Sequence, residues 1–257
     1  MRMADLEALA GIVDEAARTA TPVTQLSEGV DFSVAEAYEI QRLSIARRLA
    51  RGEARAGLKM GFTSRAKMAQ MGLSDLIWGR LTDAMRIEEG GRADAARYIH
   101  PRCEPEVAFL IGAPLAGVLS PAEAMAHVEA VAPALEVIDS RYENFKFTLT
   151  DVIADNASSS GFVLGPWNPP DVDVGNLGMV LEVDGRPVQV GSSAAILGHP
   201  GRSLAAAARV AAEAGEVIEP GWIVMAGGAT AAVALAPGAH VRVAVERLGQ
   251  AGFRLAS

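Results

Sequence analysis

Between Asp5 and Thr19, Leu6, Leu9, Ile12, Val13 and Ala16 recur at helical spacing, which predicts one amphipathic helix. A second is predicted from Ser33, where Ser33-Val34-Ala35-Glu36 has capping-box spacing and Ala37 to Ala50 continues in good helix formers. After Gly57 the texture changes to short apolar runs cut by Gly, Pro and Asp, the pattern of a strand-rich unit. Strands are expected over Ala56 to Phe62, Glu106 to Ile111 and Pro133 to Ser140, with helices over Ser64 to Met71 and from Ser120. Met179 to Val183 and Pro187 to Gly191 flank Asp184-Gly185-Arg186, a hairpin signal because Asp-Gly tolerates positive φ. An Ala-rich helix over Ser203 to Glu216 precedes strands near Trp222 to Ala226, His240 to Arg247 and Ala251 to Leu255. The expected architecture is α+β: a small helical part over 1–54, then a domain over 55–257 built on a twisted or rolled mixed sheet.

Composition narrows the classes. Half of the 257 residues are hydrophobic and about a fifth are charged, the balance of a globular chain rather than a disordered one. The net charge of -8, with no Lys/Arg cluster, argues against nucleic-acid binding. Acidic residues interrupt the N-terminal apolar stretch, so it does not read as a secretory signal. No run of about 18 apolar residues suggests a membrane span. Cys103 is the only cysteine, which precludes an intrachain disulfide, and a cytoplasmic protein is expected.

The chemistry-bearing residues stand out against this background. Glu104-Pro105-Glu106 runs into Val107-Ala108-Phe109-Leu110-Ile111, and residues two apart on a strand share a face, so both carboxylates would converge. Glu136 interrupts the apolar stretch Ala134-Leu135-Glu136-Val137-Ile138. A buried carboxylate requires positive compensation. Either the three glutamates form a hard oxygen site for Mg2+ or Mn2+, or Arg102, Arg141 or a lysine neutralises them as ordinary ion pairs. Lys59, within Gly57-Leu58-Lys59-Met60-Gly61, either projects into a cavity beside a carboxylate or oxyanion, or faces solvent on a half-exposed strand. The polar segment from Asp139 to Gly161 offers hydroxyls and backbone N–H groups to an anion, or caps and turns. Gly227-Gly228-Ala229-Thr230 either approaches a ligand closely or turns the chain, and does not fit a nucleotide fingerprint. The four histidines show no metal spacing, and no Gly-x-Ser-x-Gly elbow supports a serine hydrolase.

Gly57 to Ser64, Glu104-x-Glu106, Glu136 to Arg141 and Ala154 to Ser158 together resemble the motifs of the 2-oxopent-4-enoate hydratase and 4-oxalocrotonate decarboxylase family, a branch of the fumarylacetoacetase-like fold. The resemblance runs from about Ala35 to the C-terminus. It implies a rolled mixed sheet with Mg2+ or Mn2+ on Glu104, Glu106 and Glu136, and Lys59 as the catalytic lysine lining the substrate site. It also implies Ser159 close to substrate, with Arg141 assisting there or serving as a structural partner of the glutamates. Three stretches, Ala66 to Gly72, Ser140 to Phe147 and Gly227 to Val233, are closer to the decarboxylase wording. The implied reaction is decarboxylation of the 2-oxo dicarboxylate 2-oxohex-3-enedioate to 2-hydroxypenta-2,4-dienoate in meta-cleavage breakdown of aromatic compounds. The alternatives are water addition to that product, or a partner subunit that stabilises the hydratase. Association with the hydratase and a homo-oligomer are the implied assemblies.

Overall fold

A computed structural model describes residues 1–64 and 76–257. The helix expected over Ser64 to Met71, beyond its first residue, and the Ala66 to Gly72 stretch lie outside the described residues. Helix α1 (Met3–Thr19) ends at Ala20, whose left-handed conformation closes the last turn. Helix α2 (Val34–Ala50) begins at the expected capping box, with Ser33 and Glu36 each satisfying the other's backbone N–H. The two helices are tied by Asp14, a buried carboxylate that accepts from Arg47 at 3.0 Å and Arg51 at 2.6 and 2.7 Å.

The strands fall into two sheets. The first contains β1 (Arg55–Gly61), β2 (Ile77–Thr82), β3 (Arg86–Ile87), β5 (Arg102–Ile111), β6 (Val128–Ile138), β7 (Ser159–Leu164), β10 (Ile223–Met225) and β11 (Val233–Ala234). Its order is β2-β1-β10-β5-β6-β7-β3, with β11 also paired to β5. The second sheet, β4-β13-β12-β8-β9, uses β4 (Arg92–Asp94), β8 (Gly178–Val183), β9 (Arg186–Ser192), β12 (His240–Val245) and β13 (Gly249–Ala256). The β8–β9 turn is the expected Asp184-Gly185 hairpin, both residues having positive φ. Both sheets mix parallel and antiparallel pairs, and the fold is α+β.

Alternation along the strands divides the core in two. Leu58, Val107, Phe109, Leu135 and Val137 face a large cluster shared with Val241, Val243 and Phe253 of the second sheet and with Leu204 and Ala208 of the helix Pro200–Glu213. Ala108, Ala134, Phe162 and Met225 face the other way, toward Ile45 of α2. A third cluster packs Leu6, Val13 and Ile40 of the N-terminal helices against Tyr142, Val152 and Ile153. The helical part therefore covers the segment between β6 and β7. No described helix is long and apolar enough to cross a membrane.

Among the elements that escape the periodicity reading are β2, β7, the short helix Leu149–Ala154 and the two- and three-residue strands β3, β4 and β11. In β2 the run Trp78-Gly79-Arg80 hides a strand behind a charged residue; Arg80 is nevertheless buried, held by Glu216 and by Gln41 of α2.

The parallel pairing of β1 and β10 depends on Gly57, which has φ +149° and where a Cβ would lie 1.9 Å from the carbonyl oxygen of Ile223. Neither the space nor the backbone suits an L side chain. Gly57→Ala is expected to destabilise the protein by about 3 kcal/mol, read as a fall in Tm of roughly 5–10 °C. An unchanged Tm would show that the strand pair adjusts without cost.

Candidate metal centre

Glu104 sits directly opposite Glu136 across the antiparallel β5–β6 pair, and Glu106 is opposite Ala134. Since β5 starts at Arg102, four residues before the expected strand, both Glu104 and Glu106 lie within it and share one face. One carboxylate oxygen from each of Glu104, Glu106 and Glu136 lies within 4.8 Å of the others. Glu106 and Glu136 are fully buried.

Lys59 reaches this cluster from β1. Leu58 and Met60 point into the large core, so Lys59 points to the opposite face, where its Nζ lies 3.1 Å from Glu136 Oε2. It also donates to the carbonyl of Ala157 at 3.1 Å. Burial opposes its charge, but attraction from Glu136, Glu106 and Glu104 outweighs that and holds its pKa above the ordinary lysine value. Burial and then repulsion from Glu136 push Glu106 well above the usual carboxylate range, with Lys59 only partly countering them. Of the neutralising partners the sequence offered, the lysine is met: among the described residues Lys59 stands against Glu136, while Arg141 pairs with Asp155.

The glycines of Gly227-Gly228 serve close approach. Gly227 N–H donates to Glu106 Oε2 at 2.7 Å, and a Cβ on Gly228 would stand 2.7 Å from Glu104 Oε2. Even so, Glu106 Oε1 and Glu136 Oε1 are buried with no hydrogen-bond donor among the described residues. Two buried carboxylates sharing one ammonium and keeping such oxygens suit a hard divalent cation. Oxygen ligands without histidine or cysteine favour Mg2+ or Mn2+ over zinc. The neighbouring Cys103 is buried and its thiol is pushed up by burial, so it is an interior thiol without nucleophilic character.

A cavity opens beside the cluster, with Lys59, Glu104, Thr63 and Ser158 on its polar side and Phe62, Ile77, Phe145, Phe147 and Val152 on its apolar side. The serine facing it is Ser158, not the expected Ser159. The Ser159 hydroxyl is directed to Met85 Sδ at 3.9 Å, whereas Ser158 Oγ is buried without a hydrogen-bond partner among the described residues. Consecutive side chains at the start of a strand point to opposite faces, so one position exchanges the inward hydroxyl for the outward one. Arg141 is also redirected. It pairs with Asp155, donates through Nη2 to the Asp155 carbonyl at 2.6 Å, and bonds the hydroxyl of Ser160. It lines a separate polar cleft with Asp139 and Tyr98, so it braces the site from behind rather than entering the cavity or pairing with the glutamates.

Between Asp155 and β7, Asn156, Ala157 and Ser158 all have positive φ, at 51°, 51° and 58°. Such residues cost about 1–3 kcal/mol each and persist only where their surroundings hold them. No period in the sequence signals this turn, although its Asp-Asn-Ala-Ser composition marks a break in regular structure.

The fumarylacetoacetate (FAA) hydrolase C-terminal family matches residues 76–256. The chain is 61% identical over 241 residues to a 4-oxalocrotonate decarboxylase of a Pseudomonas species, covering 94% of both chains. It superposes with TM-score 0.96 on a structure of 4-oxalocrotonate decarboxylase from Pseudomonas putida G7 complexed with magnesium and adipate, at 40% identity over 99% of this chain and 98% of the other. A 2-hydroxypent-2,4-dienoate hydratase of Pseudomonas putida is 40% identical over 186 residues, which is 71% of this chain and 83% of that one.

Replacing a direct ligand should weaken metal binding at least as much as the loss of a supporting contact, so Glu106→Gln is expected to reduce Mn2+ affinity by about 100-fold or more. The metal-free variant should melt no lower than the parent, because a buried charge has been removed. Titration followed by electron paramagnetic resonance, with thermal melting alongside, checks both; undiminished Mn2+ affinity would rule out Glu106 as a ligand.

Proposed function

The chain belongs to the fumarylacetoacetate hydrolase family, and from that premise we propose that it is a metal-dependent decarboxylase converting 2-oxohex-3-enedioate to 2-hydroxypenta-2,4-dienoate and CO2. The observation that carries this reading is the buried carboxylate cluster with Lys59, set at the polar side of a cavity whose other side is apolar. Similarity to the decarboxylases, at 46–61% identity, is higher than similarity to the hydratases, at 32–40%, and supports decarboxylation over hydration.

In this reaction the C5–C6 bond breaks. Its electron pair passes from C5 through the C3–C4 double bond to the C2 oxygen, which then takes a proton. Glu104, Glu106 and Glu136 would hold Mg2+ or Mn2+, which when bound supplies Lewis-acid stabilisation of the charge gathering at the 2-oxo group. Lys59 adds a fixed positive charge on the same side, acting on the C1 carboxylate or the C2 oxygen in a site largely closed to water. Ser158 supplies a hydroxyl donor there in the role expected of Ser159. Phe62, Phe145 and Phe147 line the apolar side and shield C5 from water, so that the charge passes to the C2 oxygen and C5 becomes the terminal alkene carbon without gaining a proton.

The product is the substrate of a hydratase of the same family, and we infer association with that hydratase, a homo-oligomeric state and a cytoplasmic setting. The sequence resemblance supports these assignments, with the dicarboxylate as small-molecule partner.

CO2 release and ultraviolet absorbance on mixing chelator-stripped protein with 2-oxohex-3-enedioate test the reading. CO2 is expected only with added Mg2+ or Mn2+. Metal-dependent loss of 2-hydroxypenta-2,4-dienoate without CO2 release would instead identify a hydratase. Lys59→Met is expected to lower kcat by about 10²–10³-fold at saturating metal. A kcat within a few-fold of the parent would remove the lysine from the mechanism.

A further inference from the structure

An ammonium has three N–H bonds to direct. Lys59 donates one to the Ala157 carbonyl at 3.1 Å, and its Nζ stands at ion-pair distance, 3.1 Å, from Glu136 Oε2. One hydrogen bond and one ion pair together fix where this ammonium sits, and Lys59 lines the cavity. The Ala157 carbonyl is therefore part of what aims the lysine.

That carbonyl lies in the middle of the left-handed run 156–158, a conformation L residues do not hold in succession unaided. The Asn156 side chain holds it. Its Oδ1 accepts from Arg80 N–H at 2.7 Å and its Nδ2 donates to the Arg80 carbonyl at 2.9 Å, using both backbone groups of one residue of edge strand β2. The adjacent Gly79 provides the room, since a Cβ there would lie 2.4 Å from the Asn156 carbonyl oxygen. Gly79 is also the cross-strand neighbour of Lys59. One short stretch of β2 thus borders the lysine and clamps the turn that the lysine bonds.

We propose that Asn156 is a positioning residue for the decarboxylation: by docking the 156–158 turn on Gly79 and Arg80, it places the Ala157 carbonyl that orients Lys59 and the Ser158 hydroxyl that faces the cavity. This role rests on the functional reading above. The Asn156 side chain bonds the Arg80 backbone and is not among the residues that line the cavity.

A double-mutant cycle of Asn156→Ala and Lys59→Met tests it, with kcat for CO2 release measured at saturating Mn2+, Mn2+ affinity by electron paramagnetic resonance, and folding by thermal melting. Because the glutamates sit on β5 and β6, Asn156→Ala is expected to keep Mn2+ affinity within about threefold of the parent while kcat falls about 100-fold, the scale of a small misplacement of a reacting group. The double variant is expected to be little slower than Lys59→Met alone, since residues acting through one group are not additive. Losses that multiply in the double variant overturn the role. So does a loss in Asn156→Ala that vanishes once only folded, metal-loaded protein is counted. Should Asn156→Ala not fold, Asn156→Asp enters the same cycle with the same outcomes, because it keeps the acceptor for Arg80 N–H and loses the donor to the Arg80 carbonyl. Parent protein that releases no CO2 with either metal overturns the functional reading and this role with it, whereas multiplied losses in active protein overturn only the role of Asn156.

Discussion

Placing Glu106 and Glu136 side by side inside a sheet is the constraint on which the rest of this structure depends. Both carboxylates are buried away from bulk water, and Glu136 raises the cost of ionising Glu106. The surrounding features relieve that cost. Lys59 stands against Glu136, Gly227 offers its N–H to Glu106, and Gly228 leaves the space that Glu104 occupies. Each requirement reaches back to a backbone: Lys59 must sit on a strand beside β10, and that strand can approach only because Gly57 has no side chain.

The segment between β6 and β7 turns this electrostatic arrangement into a shaped site. Arg141 binds Asp155 behind the turn, Asp151 accepts from Ser27 N–H and from Thr148 N–H, and Gln41 of α2 donates to the carbonyls of Trp78 and Ile153. The N-terminal helices are therefore structural supports of the cavity wall. They share an apolar cluster with Ile77, Tyr142 and Val152, and Gln41 bonds the Ile153 carbonyl three residues before the turn that carries Ala157 and Ser158.

The relatives of this chain include a 4-oxalocrotonate decarboxylase and a 2-hydroxypent-2,4-dienoate hydratase, and a carboxylate-bound cation with a fixed lysine suits either chemistry by stabilising charge at a 2-oxo group. In the reading proposed above, the rest of the cavity favours loss of CO2 over addition of water. Its aromatic side, built from Phe62, Phe145 and Phe147, is suited to excluding water, and it comes from the segments that follow β1 and β6 and not from the strands that carry the glutamates.

Much of the fold was legible because it is local. The capping box at Ser33, the Asp184-Gly185 hairpin and the alternation around Glu106 and Glu136 each depend on neighbours within a few residues. Strand β2 was not legible, because Arg80 reads as solvent-facing until Glu216, remote in sequence, is brought to it. The sequence by itself determined that three glutamates and a lysine interrupt apolar runs in a strand-rich chain, since residue type and spacing suffice for that. Only the tertiary structure decided that they meet, that Ser158 rather than Ser159 faces the cavity, and that Arg141 turns away from it. Those outcomes rest on strand register and a left-handed turn, and both are set by long-range contacts that no local pattern encodes.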